Sequence, residues 1–245
     1  MAEVKKHYDD LLARHYSWTI GIDFYEKVIE QRKLLEEFGF SSGLREVALD
    51  LGCGPGYQAL ALCDLGYETV IAVDTSPTLL DEMAQFADNR PIRPILSDMR
   101  DFPKYINKDS VDAIVCMGDT ITHLESKSGV LNLLQDAFCV LRSGGRLALT
   151  FRDFSVELAG TDRFIPVRSE EERIMLCALL YEPEHVVVND LVYIRSQGEW
   201  TLHKSSYRKY RIDPSWLVGE LRTIGFSVDV DATVSRMRAV VAHKR

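Results

Sequence analysis

The stretch VALDLGCGPGYQAL, Val47 to Leu60, sets an acid ahead of three glycines at alternate positions: Asp50, then Gly52, Gly54 and Gly56. An apolar run that ends in such a turn and resumes as a helix leaves backbone room for a ligand at a strand end. Two ligand chemistries compete for it. A dinucleotide turn places its third glycine one residue later, where this chain has Tyr57, and uses backbone N–H donors, one of which Pro55 removes. Asp50 is unfavourable beside a pyrophosphate and suits a ligand with a cationic amine. A second acid, Asp74, closes the next apolar run.

Further along, MGDTITHL carries Asp119 and, about one turn on, His123, whose imidazole is neutral near pH 7 and suited to a general base. The other reading of His123 is a capping or surface histidine. Asp119 has the charge to hold an amine. HYDDLLARHYSW gathers His7, Tyr8, His15, Tyr16 and Trp18, either as a lid over a site or as an apolar helix face. FRDF offers Arg152 and Asp153, a bidentate anion clamp or an internal ion pair.

The elements that must position these residues follow from hydrophobic periodicity. The first forty residues read as helical, with Phe24, Val28, Leu34, Leu35 and Phe38 at helical spacing and Gly39 at the end. From Glu46, strands and helices alternate: EVALDL, a helix Tyr57–Leu65, TVIAVD, a helix Pro77–Ala87 capped by Ser76, IRPIL, VDAIVCM, a helix through Leu134 and Ala137, and GRLALTF. Short, doubly apolar strands between helices predict a parallel sheet covered on both faces. ERIMLCALLYE, HVVVNDLVYIRS and EWTLHKSSYRKYRI then predict an antiparallel insertion of three strands. Its alternating positions present Arg173, Tyr181, Arg195, Trp200, His203, Tyr207 and Arg208, and a one-residue slip would swap the inward set. The basic run His203–Arg211 reads as a solvated strand face or a local basic patch. Asp213-Pro214 starts a helix, and FSVDVDA and RMRAVVAHK close the chain as an antiparallel pair.

VALDLGCGPG resembles motif I of the class I S-adenosylmethionine-dependent methyltransferases, of the small-molecule type that includes glycine/sarcosine and nucleotide-sugar amine N-methyltransferases. AVD, LSDMRDF, VCMGDTITHL and VLRSGGRLALTF match later motifs in order. The resemblance implies an α/β, Rossmann-like, seven-stranded, mostly parallel sheet with helices on both faces and a C-terminal reversed strand, plus the small antiparallel β insertion. It implies three parts: an N-terminal helical lid over 1–43, a cofactor-binding domain over 44–152 and 212–245, and the insertion over 153–211. It implies S-adenosylmethionine as cofactor and S-adenosylhomocysteine as product, held by Asp50, Gly52, Cys53, Gly54, Gly56, Asp74, Thr75, Asp98, Met99, Met117 and Gly118. Asp74 would accept from both ribose hydroxyls, since a carboxylate has two acceptor oxygens, and Asp98 from the adenine amine. His123 and Tyr16 are the catalytic candidates, and Asp119, Arg152 and Tyr207 the acceptor-side ones. The expected activity is methyl transfer to a nitrogen or oxygen of a small polar metabolite; a non-catalytic cofactor-binding module or partner subunit is the alternative.

Bulk properties are consistent with that picture. Across 245 residues the formal net charge is −8, which opposes general nucleic-acid binding, and no run approaches the ~18 apolar residues of a membrane span. Five cysteines without CxxC spacing read as reduced thiols, so the expectation is a cytoplasmic monomer or homodimer with no metal, acting on a small molecule.

Overall fold

Strand pairing in the computed structural model, which describes residues 2–245, divides the chain between two sheets. The N-terminal segment comprises α1 (Ala2–His7), a single π-helical turn (Tyr8–Leu12), a 3-10 turn (Ala13–His15), α2 (Tyr16–Ile20) and α3 (Phe24–Glu37). The predicted helical stretch is thus broken: Gly21 terminates α2 at φ 82°, and Asp23 caps α3 by accepting from the Tyr25 and Glu26 N–H groups. β1 (Val47–Leu51), α4 (Tyr57–Asp64), β2 (Thr69–Asp74), α5 (Pro77–Ala87) and β3 (Ile92–Leu96) follow. Then come β4 (Val111–Cys116), α6 (Lys127–Val140) and β5 (Leu141–Phe151). Ser76 caps α5 as expected, its Oγ accepting from the Leu79 N–H with Pro77 in the first turn.

The larger sheet has the order β3-β2-β1-β4-β5-β11-β10, where β10 is Phe226–Val234 and β11 Met237–Lys244. β1 to β5 pair in parallel; β11 runs antiparallel to β5 and to β10. Core clusters cover both faces, one centred on Leu49, Ile114 and Phe151, the other on Ala48, Val70 and Val115. This is the expected fold class. Edge strand β3 departs from the doubly buried pattern: Arg93 and Pro94 are exposed and Leu96 is 61% accessible, which an edge tolerates.

The insertion holds four strands rather than three: β6 (Phe164–Ser169), β7 (Arg173–Tyr181), β8 (His185–Ser196) and β9 (Glu199–Tyr210), all antiparallel in that order. β6 escapes a sequence reading because it is a six-residue edge strand containing Pro166, with an irregular register between Pro166 and Arg168. α7 (Pro214–Ile224), capped by Asp213, leads back to the larger sheet. Val4, Leu11 and Leu12 pack on the inner face of the insertion, with Val188 and Val192, whereas α3 packs on α4 through Phe24, Val28 and Leu35.

Candidate active site

The strand order reverses between β1 and β4, and ligands of open parallel sheets bind beyond the carboxyl ends at such a switch point. A cleft lies there, lined by Tyr8, Tyr16, Gly52, Gly54, Asp74, Thr75, Met99, Gly118 and His123, together with Val4, Val73, Leu79, Ser97 and Thr120.

The glycine turn is folded against β2. The Gly52 and Cys53 N–H groups both donate to the Val73 carbonyl, and the Gly54 N–H donates to Asp74 Oδ2 at 2.8 Å. A Cβ on Gly52, at φ 71°, would stand 2.1 Å from Thr120 Cγ2, so this position needs glycine both for its backbone and for its neighbour. Gly56 serves a different purpose. A Cβ there would strike Met83 Cγ at 2.3 Å, so Gly56 lets α4 start against α5 and does not line the cleft. Tyr57, which excludes a dinucleotide fingerprint, is buried against Phe24 and donates to Ser17 Oγ at 3.0 Å.

The acids are held in distinct ways. Asp50 is 2% exposed and does not line the cleft, and its Oδ2 has no hydrogen-bond partner. Burial, and then the charge of Asp74, push its carboxyl up to about 8. Asp74 also accepts from the Ser76 N–H at 2.8 Å, so both oxygens are oriented by backbone while the side chain faces the cleft. Burial raises its carboxyl too, and those N–H groups oppose the rise. Asp98 lies outside the cleft, in a neighbouring depression with Ala2, Lys5 and Arg100. Its oxygens take the Arg100 guanidinium at 2.7 and 3.0 Å; burial raises its carboxyl, and Arg100 more than offsets this. Adenine recognition through Asp98 would therefore compete with Arg100.

On the acceptor side, His123 ends a short 3-10 turn (Thr120–His123) and is 8% exposed. Its Nε2 has no partner, and the rings of Tyr8 and Tyr207 stand edge-on at 5.8 and 5.7 Å. Burial, then Lys209 and His7, hold its imidazole well below the ordinary histidine range. Tyr16 reaches across the cleft to both glycine loops: a Cβ on Gly54 would be 3.8 Å from its Cε1, and one on Gly118 would be 3.9 Å from its hydroxyl. Burial raises the phenols of both Tyr8 and Tyr16, so both are hydroxyl donors at neutral pH.

Of the three residues expected to meet the acceptor, Asp119 and Tyr207 are engaged elsewhere and Arg152 lies outside the cleft. Asp119 is 2% exposed; Oδ1 accepts from the Arg152 N–H at 2.9 Å and from Thr122 Oγ1 at 3.1 Å, and Oδ2 accepts from Lys209 Nζ. The amine it holds is the chain's own. Arg152 leaves its side chain half exposed outside the cleft. Tyr207 is buried behind His123, stacked on His7 at 4.2 Å. Cys53 and Met117 are buried beside the glycine loops and do not line the cleft.

Sequence reasoning did not assign Tyr8, Thr120 or Ser97 to the cleft, nor Lys209 to Asp119. Lys209 shares a strand face with Tyr207, so the register that turned Tyr207 inward would have turned Lys209 inward as well. Tyr8 stood in the lid candidates, and the π-helical turn that carries it had no signal in the spacing.

Residues 48–145 match the model of the family described as "Methyltransferase domain". A glycine/sarcosine N-methyltransferase of Parasynechococcus marenigrum is 30% identical over 133 residues, 52% of this chain and 44% of that protein. The chain spans about half the length of this curated relative and of a second, from Aphanothece halophytica, of which it covers 53%. Among solved structures, the CcbJ methyltransferase from Streptomyces caelestis superposes with a TM-score of 0.79 at 20% identity, covering 98% of both chains. CalS10 of Micromonospora echinaspora, an amino pentose methyltransferase solved with S-adenosylmethionine bound, gives 0.77 at 14% identity, covering 96% of this chain and 97% of its own.

Proposed function

We propose that this chain, whose residues 48–145 belong to the methyltransferase-domain family and whose fold is that of the class I S-adenosylmethionine-dependent methyltransferases, methylates a nitrogen or oxygen of a small polar metabolite. The observation that carries the reading is convergence. Tyr8, Tyr16 and His123 line the same cleft as the glycine turn, Asp74 and Met99. One wall has the acceptors and open backbone that suit an adenosyl amino acid; the other has an unpaired imidazole and two phenols.

The residues fit that cofactor. Asp50, two residues before Gly52, keeps a buried Oδ2 without a partner, and an ammonium group brought against it by the glycine turn would stabilise its ionised form. Asp74 would take the ribose hydroxyls on its remaining lone pairs, and Thr75, Ser97 and Met99 would border the base. S-adenosylmethionine supplies a methyl group already activated on a sulfonium, so the protein's share is alignment and exclusion of water. Tyr8 and Tyr16, on the N-terminal segment, roof the cleft and would orient the acceptor with their hydroxyls. His123 Nε2, buried and without a partner, would accept the proton that an amine or hydroxyl must shed on attack. The glycine/sarcosine N-methyltransferases among its curated relatives favour an amine acceptor.

Calorimetry with S-adenosylmethionine, S-adenosylhomocysteine and NAD, followed by label transfer from methyl-labelled cofactor to a panel of amines, amino sugars and hydroxylated metabolites, tests the reading. Binding of both sulfur ligands and labelling of at least one acceptor are expected. Tighter binding of NAD, or cofactor binding with no labelled acceptor in a broad metabolite extract, would overturn it.

A further inference from the structure

Away from the cleft, the insertion and the N-terminal segment meet at a seam rich in cations that methyl transfer does not use. Pairing sets Met175 opposite Val192 and Val192 opposite His203, while Arg173 lies two residues from Met175 on β7. Register partners and i, i+2 neighbours share a face, so Arg173 and His203 flank the inner-face patch on which Leu11, Leu12, Tyr16 and Trp18 pack. Arg173 reaches that segment, its guanidinium 4.9 Å from the Trp18 ring centroid. His15, in the same segment, is 5% exposed, and its Nδ1 has no hydrogen-bond partner.

Among the described residues the guanidinium groups of Arg14 and Arg173 and the His203 imidazole make no direct ion pair, and the nearest acid is Glu170. Its carboxyl is lowered by the Trp18 indole N–H first, at 2.8 Å, then by Arg168, with Arg173 adding its charge. The His15 imidazole registers the field: burial, then Arg173, Arg14 and His203, drive it down to about 4.

We propose that Arg14, His15, Arg173 and His203 form a binding site for an oxyanion, a phosphate or carboxylate group, across the seam between the N-terminal segment and the insertion. Arg14 and Arg173 supply charge and planar N–H donors, and the two imidazoles supply ring N–H groups. The buried Nδ1 of His15 gains the partner it lacks. Because His15 precedes Tyr16, an anion bridging the seam also holds the segment that roofs the cleft. The site stands on its own residues and does not depend on the methyltransferase reading.

The test is a titration of the 245-residue chain with inorganic phosphate and, separately, with acetate, at ionic strength matched with sodium chloride, followed by NMR of the histidine side chains. Saturable shifts of the His15 and His203 signals, with His185 and His243 unmoved, are expected from at least one anion, and the stronger binder identifies the oxyanion class. Arg173→Gln should weaken binding about tenfold or more, the scale of one charge-assisted hydrogen bond, while Arg32→Gln on the exposed face of α3 should not. If Arg173→Gln does not fold, exposed Arg14→Gln serves, with a several-fold loss expected. No saturable shift at His15 with either anion, or affinity unchanged in the folded variant, would overturn the site.

Discussion

Lys209, on β9 of the insertion, donates its ammonium to Oδ2 of Asp119, in the loop after β4, and both residues are at least nine-tenths buried. The same carboxylate accepts the Arg152 N–H that follows β5, so one acid ties the insertion and two strand ends together behind His123.

Removing one partner of that pair leaves a charge buried without compensation. Lys209→Met should destabilise the fold by about 3 kcal/mol in urea denaturation. The double variant Lys209→Met with Asp119→Asn should recover much of the loss. A single variant as stable as the parent would mean that water reaches Asp119.

As the proposed partner of the cofactor's ammonium group, Asp50 should couple cofactor affinity to pH. Its carboxyl is raised to about 8, so in the free protein it is protonated at neutral pH, and a bound ammonium favours the ionised form. Affinity for S-adenosylmethionine should rise with pH and level off above about 8, with proton release visible as a buffer-dependent heat in calorimetry. Asp50→Asn should flatten the profile. For stability the sign is opposite: a raised acid loses stability as pH climbs from its unfolded value towards 8, so Asp50→Asn should be the more stable form in alkaline solution.

His123 is held below the ordinary histidine range, so its base form persists to lower pH than a free imidazole would allow. The acidic limb of kcat/KM should fall below pH 6.5, and His123→Gln should cut turnover by about a hundredfold while leaving cofactor affinity within a factor of two. An acidic limb above 6.5, or an unchanged rate in the variant, would assign proton removal to solvent.

Gly52→Ala should cost about 2–4 kcal/mol and abolish cofactor binding, because the methyl group meets Thr120 Cγ2 at 2.1 Å on a left-handed backbone. Thr120→Ala in the same chain should restore part of the stability, leaving the backbone strain. Thermal melts of the two variants separate the terms.

Legibility differed between the cofactor half and the acceptor half. Asp74, Thr75, Met99, Gly52 and Gly54, which line the cleft, were named from the family resemblance of motifs that follow successive strands. The alternation of strands and helices, the Ser76 and Asp213 caps, and the reversed terminal pair were likewise local signals, decided within a dozen residues. Edge strand β6 was hidden because Pro166 breaks the pattern that would have marked it.

The acceptor wall was a matter of long-range pairing. Asp119, Arg152 and Tyr207 were the acceptor-side candidates; the fold pairs Asp119 with Lys209, ninety positions away, leaves Arg152 half exposed with its Nε 3.9 Å from Asp119, and stacks Tyr207 on His7. Asp98, named with the cofactor residues, is likewise bound to Arg100. Composition and periodicity decide which faces must be buried, since hydrophobic burial is proportional to area and indifferent to partner. Which buried polar group meets which depends on strand register and on the folding of an N-terminal segment over a distant sheet. A carboxylate's role is set by the donor that reaches it first, and only the tertiary structure brings that donor within hydrogen-bonding distance.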